Sequence, residues 1–350
     1  MSEIATNPAQ LRVADAAQRR LAALWTRSAG PTPDLYFRNA CGAALSASGP
    51  GRVEMLSPSV FASEKAVLVM RHSGGAVLND AVLAGRKLIW FCDDAVLCAN
   101  ASMPLSYRAK LLMTDAWAGR RLGARADHIV LSTDALRSMA RYLAPQAPVS
   151  VLHPYWSEAA NPLDQFDNTQ VVEIAYLGAA THKADFLFLA PVMESVLAAR
   201  PNARFHVTSN HRLPRCLRRS GRVVSPLRTT WTKWRNTLPE RRYHILLYPL
   251  TGSRFNRGRS INKLIEHGLT GGASLYSSEW SEARHVGQGG LSLPTEPDAW
   301  IDAIIDLVDN IGDKGRRLAV EGQAMAHRLN NAAPQRALWT DLMGLKLPPV

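Results

Sequence analysis

The stretch VVEIAYLGAATHKADF, residues 171–186, contains the pattern on which the fold depends. Residues 171–177 are apolar apart from one glutamate and predict a strand, and Gly178 follows them directly. Residues 183–200 then predict a helix. A strand, a glycine turn and a helix in succession form the first part of a βαβ unit, so this stretch predicts a domain built on a parallel sheet.

Strands and helices alternate on both sides of this stretch. Further strands are predicted at residues 65–71, 87–91, 128–132 and 149–153, and then at 204–208, 222–225, 243–248, 273–276 and 290–293. Helices are predicted at residues 8–27, 75–84, 104–122 and 134–143, and then at 230–238, 260–269, 296–310 and 314–342. This alternation predicts an α/β protein throughout.

A polar stretch divides the alternating pattern into two sets. Residues 157–170 are polar and contain a proline, so they are the candidate linker. We therefore predict two Rossmann-like, doubly wound domains that face each other across a cleft, with residues 1–156 binding the acceptor and residues 171–330 binding a nucleotide sugar. Residues 331–350 are expected to form a C-terminal helix that packs back on the first domain. Ligands of such sheets bind at the carboxyl ends of the strands.

Charge and cysteine content restrict the class of protein. Lys and Arg number 41 against 29 Asp and Glu, and the resulting charge of +12 favours anionic partners. The four cysteines form no CxxC pair and no zinc-ligand spacing, which favours a reducing compartment. No apolar signal core and no run of about 18–20 apolar residues is present, so we predict a cytoplasmic protein without a membrane span.

Two common nucleotide-binding motifs are missing from the sequence. Neither predicted domain carries G-x-G-x-x-G after its first strand, and no Walker loop occurs. A dinucleotide-dependent dehydrogenase and a P-loop NTPase are therefore disfavoured.

The turn after the strand at 171–177 carries residues that suit a phosphate. Gly178 lets the backbone and a ligand approach closely. Thr181, His182 and Lys183 open the next helix, where free N–H groups and the helix dipole favour an anion. The alternative is an ordinary strand–helix turn with a threonine cap and an exposed histidine.

A second stretch, YPLTGSRFNRGRSINKLIEHGLTGG at residues 248–272, carries a stronger signal. Its loop carries three arginines and an asparagine: Arg254, Asn256, Arg257 and Arg259. Ser260 is a good N-cap, and Lys263 and Glu266 lie three apart on one face of the predicted helix. A cationic loop before a helix suits a pyrophosphate, and a carboxylate can accept hydrogen bonds from a ribose diol. The alternative is a Lys–Glu pair on a solvated helix.

Together these stretches resemble the donor-binding domain of GT-B glycosyltransferases, especially the bacterial family-four-like enzymes of surface polysaccharide synthesis. The matching positions are Gly178, His182, Asp185, Pro249, Asn256, Ser260, Lys263, Glu266 and Gly272. The resemblance covers roughly residues 171–310. It extends to the N-terminal domain, where IWFCDDAVL and HIVLSTDAL are similar to strand ends of the acceptor domain.

The resemblance implies transfer of a sugar from a nucleotide-sugar donor to a glycan, lipid-linked or other acceptor, with no cofactor and no bound metal. By this analogy Glu266 binds the ribose and the helix start at Ser260 binds the diphosphate. Lys263 neutralises phosphate charge, and His182 faces the donor. The predicted donor-binding residues are Gly178, Thr181, Lys183, Arg254, Asn256, Ser260, Lys263 and Glu266. A nucleotide-sugar epimerase of the same fold is an alternative.

One position departs from the family pattern. Many retaining members carry a glutamate eight positions before the one matched by Glu266, and Gly258 stands there instead. In those enzymes the missing carboxylate lies beside the donor sugar. Its absence leaves the donor type and the stereochemistry open, and it keeps a degenerate, non-catalytic nucleotide-binding or scaffold protein as an alternative.

Asp93 and Asp94 follow the strand at residues 87–91. An acidic pair at the carboxyl end of a strand that faces the cleft can activate an acceptor hydroxyl as a general base. The alternative is a helix-capping turn. These two residues and His182 are the predicted catalytic residues. Cationic residues and helix dipoles can stabilise the leaving diphosphate, so no metal is predicted.

Arginines cluster in both predicted domains. The first group is Arg108, Arg120, Arg121 and Arg125, and the second is Arg212, Arg215, Arg218, Arg219 and Arg222. The first group, on and just after a long predicted helix, suits an anionic membrane that carries a lipid-linked acceptor. Solvated helix faces are the alternative. No known nucleic-acid module accompanies the arginines, so no nucleic-acid partner is predicted.

Overall fold

The computed structural model describes residues 30–45, 49–72, 83–98, 103, 105–178, 183–208, 213–225 and 230–349. The helix predicted at residues 8–27 lies outside these ranges, as does most of the helix predicted at 75–84. The predicted site residues Thr181 and His182 and the arginine at position 212 also lie outside them.

The first sheet has six strands in the order β1-β2-β3-β4-β5-β6. They are β1 (Glu54–Ser57), β2 (Val60–Ala62), β3 (Ala66–Met70), β4 (Lys87–Cys92), β5 (His128–Leu131) and β6 (Val149–Val151). β3 to β6 are parallel, whereas β2 pairs antiparallel with β3 and with β1 at the edge of the sheet. Alternate residues of β3 and β4 belong to two separate buried clusters, because both faces of this part of the sheet are covered.

The second sheet also has six strands, all parallel, in the order β12-β11-β10-β7-β8-β9. They are β7 (Val172–Tyr176), β8 (Ala203–Val207), β9 (Val223–Val224), β10 (Ile245–Tyr248), β11 (Ala273–Ser277) and β12 (Leu291–Leu293). The chain leaves β7 toward β8 and β9 and returns on the other side at β10. β7 and β10 therefore flank a topological switch point, where open α/β sheets bind their ligands.

The helices of the described residues pack around both sheets. They are α1 (residues 31–41), α2 (residues 105–123), α3 (Arg137–Leu143), α4 (Lys183–Ala199), α5 (Arg215–Arg219), α6 (Trp231–Asn236), α7 (Arg254–Arg257), α8 (Asn262–Thr270), α9 (Pro297–Asp309), α10 (Arg316–Leu329) and α11 (Ala333–Met343). α1 and α2 each include a five-residue π-helical segment. Two largely parallel sheets, each with helices packed around it, confirm the predicted fold class.

The helical region predicted at residues 314–342 consists of two helices, α10 and α11. Asn330 lies at the break. Its Oδ1 accepts a hydrogen bond from the Trp156 backbone N–H at 2.8 Å, and its Nδ2 donates to the Trp156 carbonyl at 2.9 Å. Pro334, in the first turn of α11, has no backbone N–H with which to continue the helical hydrogen bonds past Asn330, so the helix ends here.

α11 contacts the first half of the chain. Gln335 Nε2 donates to the carbonyls of Leu35 and His153, at 2.8 and 2.7 Å, and Trp339 Nε1 donates to the Tyr36 carbonyl at 2.8 Å. Gln335 and Trp339 are both fully buried. The two halves of the chain also share one buried cluster, in which side chains near β4 and β10 take part. This shared core brings the strand ends of both sheets together.

Candidate active site

A lysine and a glutamate from α8 lie at the switch point of the second sheet. Lys263 Nζ donates to the Leu177 carbonyl, just beyond β7, at 2.9 Å and lies 2.6 Å from Glu266 Oε2. The side chains are 16% and 3% exposed. The pair is therefore not the solvated helix pair that was the alternative interpretation.

Glu266 is held on its other oxygen as well. Trp234 Nε1 donates to Glu266 Oε1 at 3.0 Å, and Arg241 Nη1 lies 3.9 Å from the same oxygen. The Arg241 guanidinium stacks on the Trp234 ring, 3.4 Å from its centroid. Burial lowers the pKa of Arg241, and Glu266 opposes that shift. A ligand that binds Glu266 must therefore share its oxygens with Trp234 and Lys263 or displace one of them.

Asp185 links the first turn of α4 to the loop after β10. Its Oδ1 accepts from the backbone N–H and the hydroxyl of Thr251, each at 2.8 Å, and from Asn256 Nδ2 at 3.4 Å. Asn256 also donates to the Thr251 carbonyl at 2.9 Å. The structure thus gives Asn256 a loop-forming contact. Lys183 and Arg254 are exposed at the starts of α4 and α7.

The predicted helix cap at Ser260 is wrong. α8 begins at Asn262 with Ile261 as its N-cap, and no side chain caps it. Ser260 Oγ accepts a long hydrogen bond, 3.5 Å, from the Asn262 backbone N–H. Residues 254–257, predicted as loop, form α7 instead, because Ser253 caps that turn through the Asn256 backbone N–H at 3.0 Å.

Two glycines owe their identity to close packing. A Cβ added at Gly178 would lie 2.5 Å from the Tyr176 ring. At Gly258, the position of the missing glutamate, an added Cβ would lie 2.8 Å from Leu136 Cδ2 and 3.3 Å from Ala95. The segment between β10 and α8 therefore packs directly on the first half of the chain, at the position where the family that the sequence resembles has a carboxylate.

Arg71, which follows β3 directly, forms ion pairs with three carboxylates. Arg71 Nη2 lies 2.6 Å from Asp94 Oδ2 and 3.4 Å from Asp115 Oδ2, and its Nε lies 3.3 Å from Asp93 Oδ1. Burial opposes the charge of Arg71, but Asp93 and Asp94 outweigh it and raise the pKa of the guanidinium. The backbone of Arg71 has φ 62°, a strained value for a non-glycine residue.

Asp93 and Asp94 have different surroundings. Asp94 is 4% exposed. Its Oδ1 accepts a hydrogen bond from Arg259 Nη1 at 2.9 Å, and this contact links the two halves of the chain. Asp93 is half-buried and accepts a hydrogen bond from Thr32 Oγ1 at 2.5 Å. Burial raises the pKa of Asp93, Arg71 opposes the shift and Asp94 adds to it. A carboxyl group with a raised pKa suits proton transfer.

A second polar contact crosses between the halves. Thr133 Oγ1 donates to Glu282 Oε1 at 2.5 Å, and Glu282 is 1% exposed. Its other oxygen lies 3.2 Å from His285 Nε2. Together with the Asp94–Arg259 pair, this contact holds the carboxyl ends of the two sheets against each other.

Sequence analysis did not identify Arg71, Trp234 or Glu282. For Arg71 a signal existed, because a charged residue ends an apolar strand beside the strand that leads into Asp93. Met70 pairs with Phe91 in the sheet, so β3 and β4 end at the same edge and the residues that follow them lie close together. Trp234 and Glu282 carry no local signal, since their partners are distant in sequence.

The described ranges contain no group of three or more His, Cys, Asp or Glu side chains that could hold a metal ion. Among the helices of these ranges, none has the length and hydropathy needed to cross a membrane.

Solved structures similar to this chain are glycosyltransferases. Sucrose-phosphate synthase from Thermosynechococcus elongatus matches with a TM-score of 0.53 and 12% identity over 74% of this chain and 68% of that chain. Anabaena HepE, in complex with UDP and glucose, matches with a TM-score of 0.53 and 12% identity over 75% and 72%. S. aureus TarM, in complex with UDP and other ligands, matches with a TM-score of 0.55 and 11% identity over 74% and 51%.

These likenesses show the fold, which is GT-B, as the sequence resemblance predicted. The chain spans about half the length of TarM. A comparison with protein-family models finds no match, and a comparison with curated proteins finds no relative.

Removing Arg71 tests the acidic cluster. Arg71→Met leaves Asp93, Asp94 and Asp115 without their shared cation, so we expect the free energy of unfolding at pH 7 to fall by about 3–5 kcal/mol. The loss should shrink at pH 5, because crowded carboxylates then take up protons. Urea unfolding at both pH values measures this.

Arg137→Met is the matched control, since Arg137 pairs with the exposed Asp134 at 2.6 Å. It should cost less than about 1 kcal/mol. Equal losses in the two variants would show that the Arg71 cluster contributes nothing beyond a surface pair.

Proposed function

We propose that this protein is a glycosyltransferase that uses a nucleotide-sugar donor. The observation that carries the proposal is the buried Lys263–Glu266 pair at the switch point between β7 and β10. The GT-B fold supports it as an analogy. A cation beside a hydrogen-bonding carboxylate, at the edge where parallel strands end, offers partners for a diphosphate and for a ribose diol.

The donor is proposed to bind with its diphosphate near the loop after β7. Lys263 supplies one positive charge there, and Lys183 lies at the start of α4, where the helix dipole also favours an anion. Arg254, at the start of α7, adds a further exposed cation. Because these charges can stabilise the leaving diphosphate, we propose transfer without a bound metal. The HepE and TarM structures contain UDP, so UDP is the first nucleotide to test.

Asp93 is the proposed general base. It is the less buried of the two adjacent carboxyl groups and has the raised pKa, whereas Asp94 is committed to Arg71 and Arg259. In the proposed step the acceptor hydroxyl oxygen attacks the anomeric carbon of the donor. The bond from that carbon to the diphosphate oxygen breaks, and Asp93 takes the hydroxyl proton. The acceptor is proposed to be a glycan or a lipid-linked molecule that enters from the first sheet.

A non-catalytic nucleotide-binding role is the second candidate. It is favoured by Gly258, which leaves no carboxylate at a position that packs on Leu136. Both candidates require nucleotide binding, but only the first requires turnover. Incubation with a nucleotide sugar, followed by product analysis, separates them: free nucleoside diphosphate supports transfer or hydrolysis, and an intact donor supports the non-catalytic role. An epimerised donor would indicate an epimerase.

Lys263→Ala tests the donor site through the chemistry of the ligand. Because the proposed partner of Lys263 is phosphate, the variant should bind UDP at least about tenfold more weakly, while uridine affinity changes less than about threefold. Calorimetric titration of the folded variant with both ligands measures this. Lys233→Ala, at an exposed lysine on α6, is the control and should leave both affinities unchanged. Equal weakening of UDP and uridine would contradict a phosphate contact.

A further inference from the structure

Helix α2 exposes an unusual number of large apolar side chains. Leu105 is 77% exposed, Leu112 53%, Met113 78% and Trp117 57%. In the part of the chain that the structure describes, no other helix exposes more than one large hydrophobic residue. A solvated helix has no reason to carry four such residues, so this face is expected to meet a partner.

The exposed charged side chains of the same helix are arginines. Arg120 and Arg121 are exposed on α2, and the Arg121 guanidinium lies over the Trp117 ring at 4.7 Å. Arg125 and Asp127 are exposed just after the helix. Between residues 105 and 126 the sequence contains one acidic residue, Asp115. Its side chain is fully buried and faces Arg71, 3.4 Å away. The solvent face of α2 therefore combines apolar side chains with arginines and carries no carboxylate.

We propose that α2 docks on a lipid bilayer that contains anionic headgroups. Apolar side chains that enter the acyl boundary beside arginines that meet phosphates are the pattern of an interfacial helix. A tryptophan with a neighbouring guanidinium suits the headgroup level, where one end of the side chain is apolar and the other is wet. The charge complementarity favours a bilayer over a protein partner, which would need to supply its own acidic apolar groove.

The position of α2 connects docking to the cleft. The ring of Tyr107, in the first turn of the helix, lies 6.3 Å from the ring of Phe255 in α7, which follows β10. A membrane against α2 therefore lies beside the site, which suits a lipid-linked acceptor. That last step rests on the proposed glycosyl transfer, whereas docking itself does not.

Sedimentation with vesicles tests the proposal. Wild-type protein should bind phosphatidylcholine vesicles that contain about 30% phosphatidylglycerol at about 0.1 M salt, and binding should weaken as salt rises, because screening shortens the electrostatic reach to about 10 Å at that concentration. The variant Leu112→Ser/Met113→Ser/Trp117→Ser and the variant Arg120→Glu/Arg121→Glu should each bind at least about tenfold more weakly.

Two controls distinguish binding through α2 from effects of net charge and of exposed apolar side chains elsewhere. Arg317→Glu/Arg328→Glu, at exposed positions of α10, makes the same change to the net charge of +12, and Leu187→Ser removes a 55% exposed leucine from α4. Both should bind within about twofold of wild type. Absence of wild-type binding, or an equal loss in the α10 control, would overturn the proposal. UDP titration of the same variants should be unchanged, so a failure of docking is distinguishable from a failure of the donor site.

Discussion

Asp93→Asn is expected to lower the turnover of glycosyl transfer by about 10²- to 10⁴-fold, the usual contribution of a positioned general base. The substitution keeps the shape and the oxygen that can accept from Thr32 Oγ1, but it removes the group that takes the proton. Donor affinity should be unchanged, because Asp93 follows a strand of the first sheet and the proposed nucleotide site lies at the second. Initial rates at saturating donor, together with UDP titration, measure both quantities.

The pH dependence of the wild-type protein follows from the same group. Burial raises the pKa of Asp93, so its proton is retained to a higher pH than in an unfolded chain. Turnover should therefore rise with pH through that raised pKa, since the base must be ionised. Stability should change in the opposite direction. As the pH rises from the ordinary pKa of an aspartate through the raised pKa of Asp93, the free energy of unfolding should fall, because the folded protein resists ionisation of this group. Asp93→Asn should accordingly be at least as stable as wild type at pH 7.

Asp134→Asn is the matched control for Asp93→Asn. Asp134 follows the next strand of the same sheet, and its side chain is 56% exposed. This variant should keep turnover within about twofold. If Asp93→Asn keeps more than about a third of wild-type turnover, Asp93 is not the base.

Glu266→Ala is expected to weaken nucleotide binding at least about tenfold. If Glu266 binds a ribose diol, the variant loses two charge-assisted hydrogen bonds, each worth about 1.5–3 kcal/mol, and about 1.4 kcal/mol is already a factor of ten. Glu266→Gln keeps the side-chain shape and an acceptor for Trp234, so it separates loss of charge from loss of packing. Calorimetric titration with UDP, on variants shown to be folded, gives the affinities.

Trp234→Phe distinguishes a ribose site from a purely structural glutamate. The indole N–H occupies Glu266 Oε1 at 3.0 Å. If a ribose hydroxyl takes that place, removing the N–H removes a competitor, and UDP affinity should stay the same or increase. If Glu266 serves only to hold Trp234, Trp234→Phe and Glu266→Ala should both lower stability, and neither should change UDP affinity. That second outcome would remove Glu266 from the donor site.

The strands that could be predicted from sequence are those with continuous apolar runs. β3, β4, β7 and β10 are nearly fully buried parallel strands, so their composition alone identifies them. β1 and β2 could not be predicted in the same way. They have four and three residues, and β1 exposes Glu54. Their antiparallel pairing depends on β3, and such pairing leaves no periodic signal in so short a segment.

The candidate site could be predicted in part. The spacing of three between Lys263 and Glu266 placed both on one face of a helix, and the structure confirms that they lie side by side. Their burial could not be predicted, because it depends on Trp234 and Arg241, which come from another segment. The Asp94–Arg259 contact was equally hidden, since 165 residues separate its partners. The sequence identifies Arg259 as a cation that follows β10, and the fold shows that it contacts Asp94.

Titration of the unchanged protein with nucleoside diphosphates and their sugars tests the central claim most directly. The proposed donor site predicts saturable binding of one nucleoside diphosphate per chain, with UDP the first to be tried, and binding of the corresponding nucleotide sugar at the same site by competition. Binding should stabilise the fold as the ligand concentration rises above Kd, by about 2.7 kcal/mol at 100 Kd. If no nucleoside diphosphate or nucleotide sugar binds the folded protein, the donor site at Lys263 and Glu266 is contradicted and the GT-B fold alone stands.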